Sequence, residues 1–163
     1  MMQVNRVFVL RCGVAAWTAL FAVSVSANEK PTREYQELMK ASAAIVDLAG
    51  STSFGRDNDI DSSTGASLVG HIRMKDYDGI AADAVAMKAL FEKIQAFWVE
   101  KKIEDAMGFS KDGLKGAADL EAAAKAKDNA GITAAHFVIA NACRSCHLAH
   151  RVVVLADRSF QIR

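Results

Sequence analysis

Helical periodicity constrains the fold of this chain more than any other feature of its sequence. Apolar residues recur at three- and four-residue steps along four alanine-rich segments, whereas alternating runs of valine, isoleucine and threonine are nearly absent. The single proline, Pro31, precedes the first segment, where a first helical turn accepts it. The pattern predicts helices over residues 31–49, 77–102, 103–127 and 129–153. Four amphipathic helices with mostly short connections predict an all-α, antiparallel four-helix bundle.

Small and polar residues indicate where these helices break. Gly108 is expected to interrupt the third helix, and Ser110 then suits the N-cap of its restart. Residues 51–76 are rich in Ser, Asp, Thr and Gly, which predicts a long loop with a short helical turn near Leu68. Ser42 is the one polar member of the first helix's apolar stripe, and its hydroxyl is expected to bond back to a carbonyl one turn earlier.

The first 27 residues have the pattern of a secretory signal peptide. Two arginines lie at or before the start of an apolar run at residues 13–25, and the first acidic residue is Glu29. Small residues end the run, which predicts cleavage after Ala27 and a mature domain of residues 28–163. A transmembrane anchor is the alternative, but the run is shorter than the roughly 20 residues that a span requires. We therefore expect export to the periplasm and no stable membrane span.

Charge and motif content argue against several classes of function. The formal net charge of +1 provides no electrostatic footprint for nucleic acid. No nucleophile–base constellation or phosphate loop stands out, so we do not expect an enzyme. Asp57, Asp59 and Asp61 resemble a calcium loop, but Ser62 and Leu68 stand where an EF-hand needs glycine and glutamate. These aspartates are therefore interpreted as a solvated loop.

The segment Cys143-Arg144-Ser145-Cys146-His147 has the Cys-x-x-Cys-His spacing of covalent haem c attachment. On a helix, residues three and four apart share a face, so both thiols and the imidazole project together. The thiols can add to the two vinyl groups of one porphyrin edge, and His147 can then ligate the iron. The third cysteine, Cys12, leaves with the predicted signal peptide. We expect one covalent haem c.

Two other uses of these cysteines remain open. Zinc could be bound by Cys143, Cys146, His147 and His150, although structural zinc sites usually draw on two separated pairs of ligands. A Cys-x-x-Cys redox pair is the second alternative, but it expects a βαβ context that the helical pattern does not provide.

With this motif on its last helix, the chain resembles the class II cytochromes c, the cytochrome c′ family, over nearly all of residues 28–163. Leu38-Met39-Lys40 looks like the family's segment facing the open side of the haem. Arg151 lies four residues after His147, where the family commonly has a basic residue. The resemblance implies a periplasmic one-electron carrier that meets redox partner proteins, and members often form homodimers.

The sixth position of the iron separates two functions within this family. Low-spin members use a methionine of the first helix, and Met39 is the matching residue; such ligation favours electron transfer. High-spin members leave the iron five-coordinate and bind small gases such as nitric oxide. His71, in or near the long loop, is a further candidate ligand. His136 lies three helical turns before His147, too far to bind the same iron.

The chain departs from the family at two positions. Tyr35 stands one turn before the Leu-Met pair, where an arginine is common in the family. Arg33 or Lys40 would then have to make the contact with a haem propionate. His150 replaces an aromatic residue that commonly precedes the basic one, and it could instead bond a haem propionate. Arg151 is expected to border the proximal face of the haem, although a basic residue here also favours a helix C-terminus.

Overall fold

The computed structural model of the protein describes residues 28–46, 67–153, 156 and 159–163. Helices account for 80% of this part of the chain. Its elements are α1 (Arg33–Val46), α2 (Leu68–Met74), α3 (Tyr77–Lys101), α4 (Glu104–Lys125), α5 (Asn129–His150), β1 (Arg151–Val153) and β2 (Phe160–Ile162). The predicted signal peptide and the aspartates at positions 57, 59 and 61 lie outside the described residues.

Side-chain caps explain where three of the helices begin. Thr32 starts α1, because its Oγ1 accepts a hydrogen bond from the backbone N–H of Tyr35 at 3.2 Å. Asp76 accepts one from the N–H of Gly79 at 3.1 Å to start α3, and Asp128 caps α5. Each cap satisfies a backbone donor that the first helical turn leaves without a partner. The helical turn predicted near Leu68 is confirmed as α2, so this part of the chain is not loop.

The predicted break near Gly108 is wrong, because α4 continues through it. Ser110 is buried, and its hydroxyl donates to the carbonyl of Ala106, so it is no N-cap. A glycine inside a helix costs about 1 kcal/mol relative to alanine. The α4 helix packs along both α3 and α5, and this packing outweighs that cost.

The predicted extension of the last helix to residue 153 is also wrong. The helix ends at His150, and β1 pairs with β2 in an antiparallel register that places Arg151 opposite Ile162. Val152 and Val153 are β-branched and suit a strand better than a helix. Ile162 also exchanges two backbone hydrogen bonds with Glu29, at 2.9 and 2.7 Å. The chain after α5 therefore ties the helix end to the start of the described structure.

Helix packing places the core between α3, α4 and α5, with α1 and α2 resting on α3. The largest fully buried side chains include Trp98, Met87, Leu120 and Ile139. The α4–α5 contact is close at Gly116, where an added Cβ would lie 3.2 Å from the backbone nitrogen of Ile139. Among the described residues, no helix combines the length and apolar character needed to cross a bilayer.

Candidate functional site

A pocket of about 460 Å³, counting the part open to solvent, lies among α1, α3, α4 and α5. The α1 helix contributes Tyr35, Met39, Ser42 and Ala43, and α5 contributes Ala142, Cys143, Cys146 and His147. Phe91 and Ile94 of α3 and Phe109 and Ser110 of α4 complete the lining. None of these side chains is an Asp, Glu, Lys or Arg, so the pocket is largely apolar.

Both serine hydroxyls of the lining are occupied by their own helices. The Ser42 hydroxyl donates to the Leu38 carbonyl at 2.9 Å, which confirms the predicted back-bond. Ser110 makes the equivalent bond to Ala106. Neither hydroxyl needs a partner from the pocket, and the pocket therefore offers an occupant mainly apolar contact.

The two cysteines of the motif are free thiols on one face of α5, and both line the pocket. Burial raises the pKa of Cys143 to about 11. Burial also raises the pKa of Cys146 to about 12, with further contributions from the negative charges of Cys143 and Asp105. Both groups are therefore protonated, neutral thiols at neutral pH.

His147 joins the two thiols in the same pocket. Burial lowers the pKa of its imidazole, and the positive charge of Arg151 lowers it further. The ring is therefore neutral near pH 7, which is the form that can donate a lone pair to a metal. Arg151 itself begins β1, and its guanidinium carbon lies 3.5 Å from the centroid of the Phe160 ring.

Met39 is the one methionine of the described chain that lines the pocket, and it does so from α1. Met74 is 60% exposed and Met87 is fully buried in the core. Met107 packs against the core without lining the pocket. The structure thus brings the methionine singled out by sequence to the same pocket as His147.

Three other candidate residues lie elsewhere. Arg33 is exposed at the first position of α1, and Lys40 is exposed and pairs with Glu37 at 3.0 Å. His71 belongs to α2 rather than to a loop, and its Nδ1 lies 2.7 Å from Oδ2 of Asp83. None of the three lines the pocket.

His150 is directed toward the end of the chain. Its Nδ1 donates to the carbonyl of Arg163 at 2.9 Å, and its ring centroid lies 5.1 Å from that of Trp98. Its Nε2 lies 3.1 Å from Oδ2 of Asp105 but lacks hydrogen-bond geometry. The described residues contain no group of three or more His, Cys, Asp or Glu that could hold a metal ion. Of the four candidate zinc ligands, the two cysteines and His147 line the pocket and His150 does not.

His136 is half-buried on α5, and burial lowers the pKa of its imidazole. It does not line the pocket.

Sequence reasoning did not single out several of the lining residues. Tyr35 was noted as a departure from the arginine common in the family, and not as a residue of the site. The expected helix break at Gly108 hid the fact that Phe109 and Ser110 lie on one continuous helix and face the pocket. Phe91 and Ile94 were recognisable as apolar residues of the second predicted helix, but the sequence does not show which other helices that face packs against.

No protein-family model matches this chain. Neither the curated proteins nor the solved structures yield a match. The functional conclusion therefore rests on the motif and on the pocket that contains it.

Proposed function

We propose that the protein is a one-electron carrier with one haem c, attached covalently through Cys143 and Cys146 and ligated by His147. One observation carries the proposal: these three side chains of α5 and Met39 of α1 line a single apolar pocket. The attachment motif alone would leave open whether the rest of the chain suits a haem.

The chemistry of the lining fits such a group. The motif's two thiols are neutral, so their conversion to thioethers leaves no charge to bury. His147 is neutral in this environment and can offer a ring nitrogen. The small side chains of Ala43 and Ala142 leave space beside it. An apolar macrocycle would replace water in this pocket without leaving a charged side chain unsolvated.

When bound, the haem supplies a one-electron iron couple, and the protein supplies its ligands and its environment. His147 would hold the iron from α5. Met39 would offer a thioether from α1, and a Met/His ligand pair would raise the reduction potential. The apolar side chains around them exclude water, which disfavours the more highly charged oxidised iron. Arg151, beside His147, acts in the same direction.

The same proposal includes the finer architecture and the setting of the protein. In it, α1, α3, α4 and α5 are the four helices of a class II cytochrome c bundle. Export to the periplasm, removal of residues 1–27 and exchange of electrons with redox partner proteins follow from that assignment.

The test is an absorption spectrum of the protein produced with haem attachment, oxidised and reduced, with and without carbon monoxide. Sharp split bands on reduction that carbon monoxide leaves unchanged are expected for the wild type. Met39→Ala should open the sixth position and make the reduced spectrum respond to carbon monoxide. Met74→Ala, on an exposed surface outside the pocket, is the matched control and should behave like the wild type.

Three outcomes would contradict parts of the proposal. A wild-type spectrum that is broad and shifts with carbon monoxide would indicate five-coordinate iron and the gas-binding alternative. An unchanged spectrum in Met39→Ala would exclude that residue as the ligand. A protein that attaches no haem would overturn the proposal, and its zinc content should then be measured.

A further inference from the structure

Tyr35 brings a phenol hydroxyl from α1 to the pocket, which the thiols and the imidazole of α5 also line. It is 8% exposed and lines the pocket from the first turn of α1. Its ring stacks on Phe97 with centroids 4.0 Å apart and meets Trp98 edge-on at 6.0 Å. These contacts hold the ring in place, and Trp98 also brings its indole N–H close to the phenol oxygen.

The hydroxyl proton of Tyr35 has no acceptor among the described residues. Burial raises the pKa of the phenol, as does the negative charge that Cys146 would carry, so the group keeps its proton. The buried Nε1–H of Trp98 opposes this shift, as a donor close to the phenol oxygen does. That N–H forms no hydrogen bond of good geometry. The Trp98 N–H is thus the buried donor that lacks a well-aligned partner, and its position beside the phenol oxygen leaves the Tyr35 hydroxyl proton for an acceptor in the pocket.

The position of Tyr35 on α1 indicates which acceptor this is. Tyr35 and Met39 are four residues apart, so they are neighbours on one helix face. Helical side chains lean toward the helix N-terminus, so the Met39 side chain extends over the turn that carries Tyr35. Both residues line the pocket that His147 enters from α5.

We infer that Tyr35 donates a hydrogen bond to the group that takes the iron's sixth position and thereby tunes the iron couple. This inference rests on the proposed function. A hydrogen bond to the Met39 sulfur withdraws electron density from it, and the weaker donor stabilises reduced over oxidised iron. Tyr35 thus acts through Met39 and is a positioning residue.

The test is the reduction potential of Tyr35→Phe, measured by spectroelectrochemical titration of the haem-loaded protein. Phenylalanine keeps the ring and removes only the hydroxyl. The potential should fall by the equivalent of about threefold in the redox equilibrium, or about 28 mV at 59 mV per tenfold. This assumes that the hydrogen bond differs between oxidation states by roughly half its ordinary net value. The band that reports thioether ligation to oxidised iron should shift as well.

Tyr77→Phe is the matched control, because Tyr77 is the only other tyrosine. Its hydroxyl donates to the exposed Oδ1 of Asn129 at 3.2 Å, outside the pocket. The potential of this variant should equal that of the wild type. An unchanged potential in Tyr35→Phe, or an equal fall in both variants, would overturn the inference while leaving the proposed function intact.

The wild-type spectrum distinguishes failure of the Tyr35 inference from failure of the proposed function. If the iron is five-coordinate, Tyr35 should donate to a bound gas, and Tyr35→Phe should release carbon monoxide faster than the wild type and Tyr77→Phe. Equal release rates would overturn the inference. A protein without haem would overturn the proposed function and this inference together.

Discussion

Gly113→Ala is expected to destabilise the protein, whereas the same substitution at Gly108 should stabilise it. Both glycines lie within α4, so each alanine removes the same backbone freedom from the unfolded chain. Their surroundings differ. A Cβ at Gly113 would lie 2.2 Å from Cε1 and 2.3 Å from Cζ of Phe91, and a Cβ at Gly108 would meet nothing within 4 Å. The pair therefore isolates the packing of α3 against α4.

The magnitude follows from two opposing effects. Alanine in place of a helical glycine gains about 0.8–1.0 kcal/mol at either site. At Gly113 the methyl group must displace the ring of Phe91, which is 3% exposed, and overpacking of this kind costs about 1–3 kcal/mol. Because the helical gain cancels between the variants, Gly113→Ala should be less stable than Gly108→Ala by about 1–3 kcal/mol.

Urea unfolding followed by far-ultraviolet circular dichroism provides the assay, with the two variants and the wild type measured in one buffer. The urea midpoint of Gly108→Ala should lie above that of the wild type and the midpoint of Gly113→Ala below it, with the slopes unchanged. A Gly113→Ala protein as stable as Gly108→Ala would refute the close contact with Phe91. A Gly108→Ala protein less stable than the wild type would refute the continuous α4 helix.

Two further predictions concern titratable side chains. In the folded chain without haem, iodoacetamide at pH 8 should alkylate Cys143 and Cys146 at least about 100-fold more slowly than in the urea-unfolded chain. The reason is that burial raises both thiol pKa values by two units or more, which lowers the fraction of reactive thiolate. Mass spectrometry measures both rates, and equal rates in the folded and unfolded chain would refute the burial of the thiols. The folded-state pKa of His136 lies below its usual 6.5, so the unfolded chain binds a proton first and stability should fall as the pH drops from 7 toward 5. His136→Gln should make urea midpoints fall less steeply over this range, and an unchanged slope would contradict the burial of this imidazole.

The helices were predictable because their cause is local. Apolar stripes at three- and four-residue steps predicted α3 to within one residue of its observed bounds. The errors arose where a local signal competed with packing or with a distant segment. Gly108 has a low helix propensity, but neighbouring helices hold α4 together. Val152 and Val153 follow the helical stripe in sequence, yet pairing with β2 decides their conformation.

The candidate site shows the same division between local and distant causes. Cys143, Cys146 and His147 share a face because of their spacing on one helix, so the motif alone predicted their grouping. Tyr35 and Met39 reach the same pocket across more than a hundred residues of sequence, and no local pattern states which helix will face α5. The resemblance to class II cytochromes c singled out Met39 as a candidate ligand, and its ligation of a haem stays a prediction. It could not point to Tyr35, which stands where an arginine is common in that family; only the pocket lining brings this neutral residue to the site.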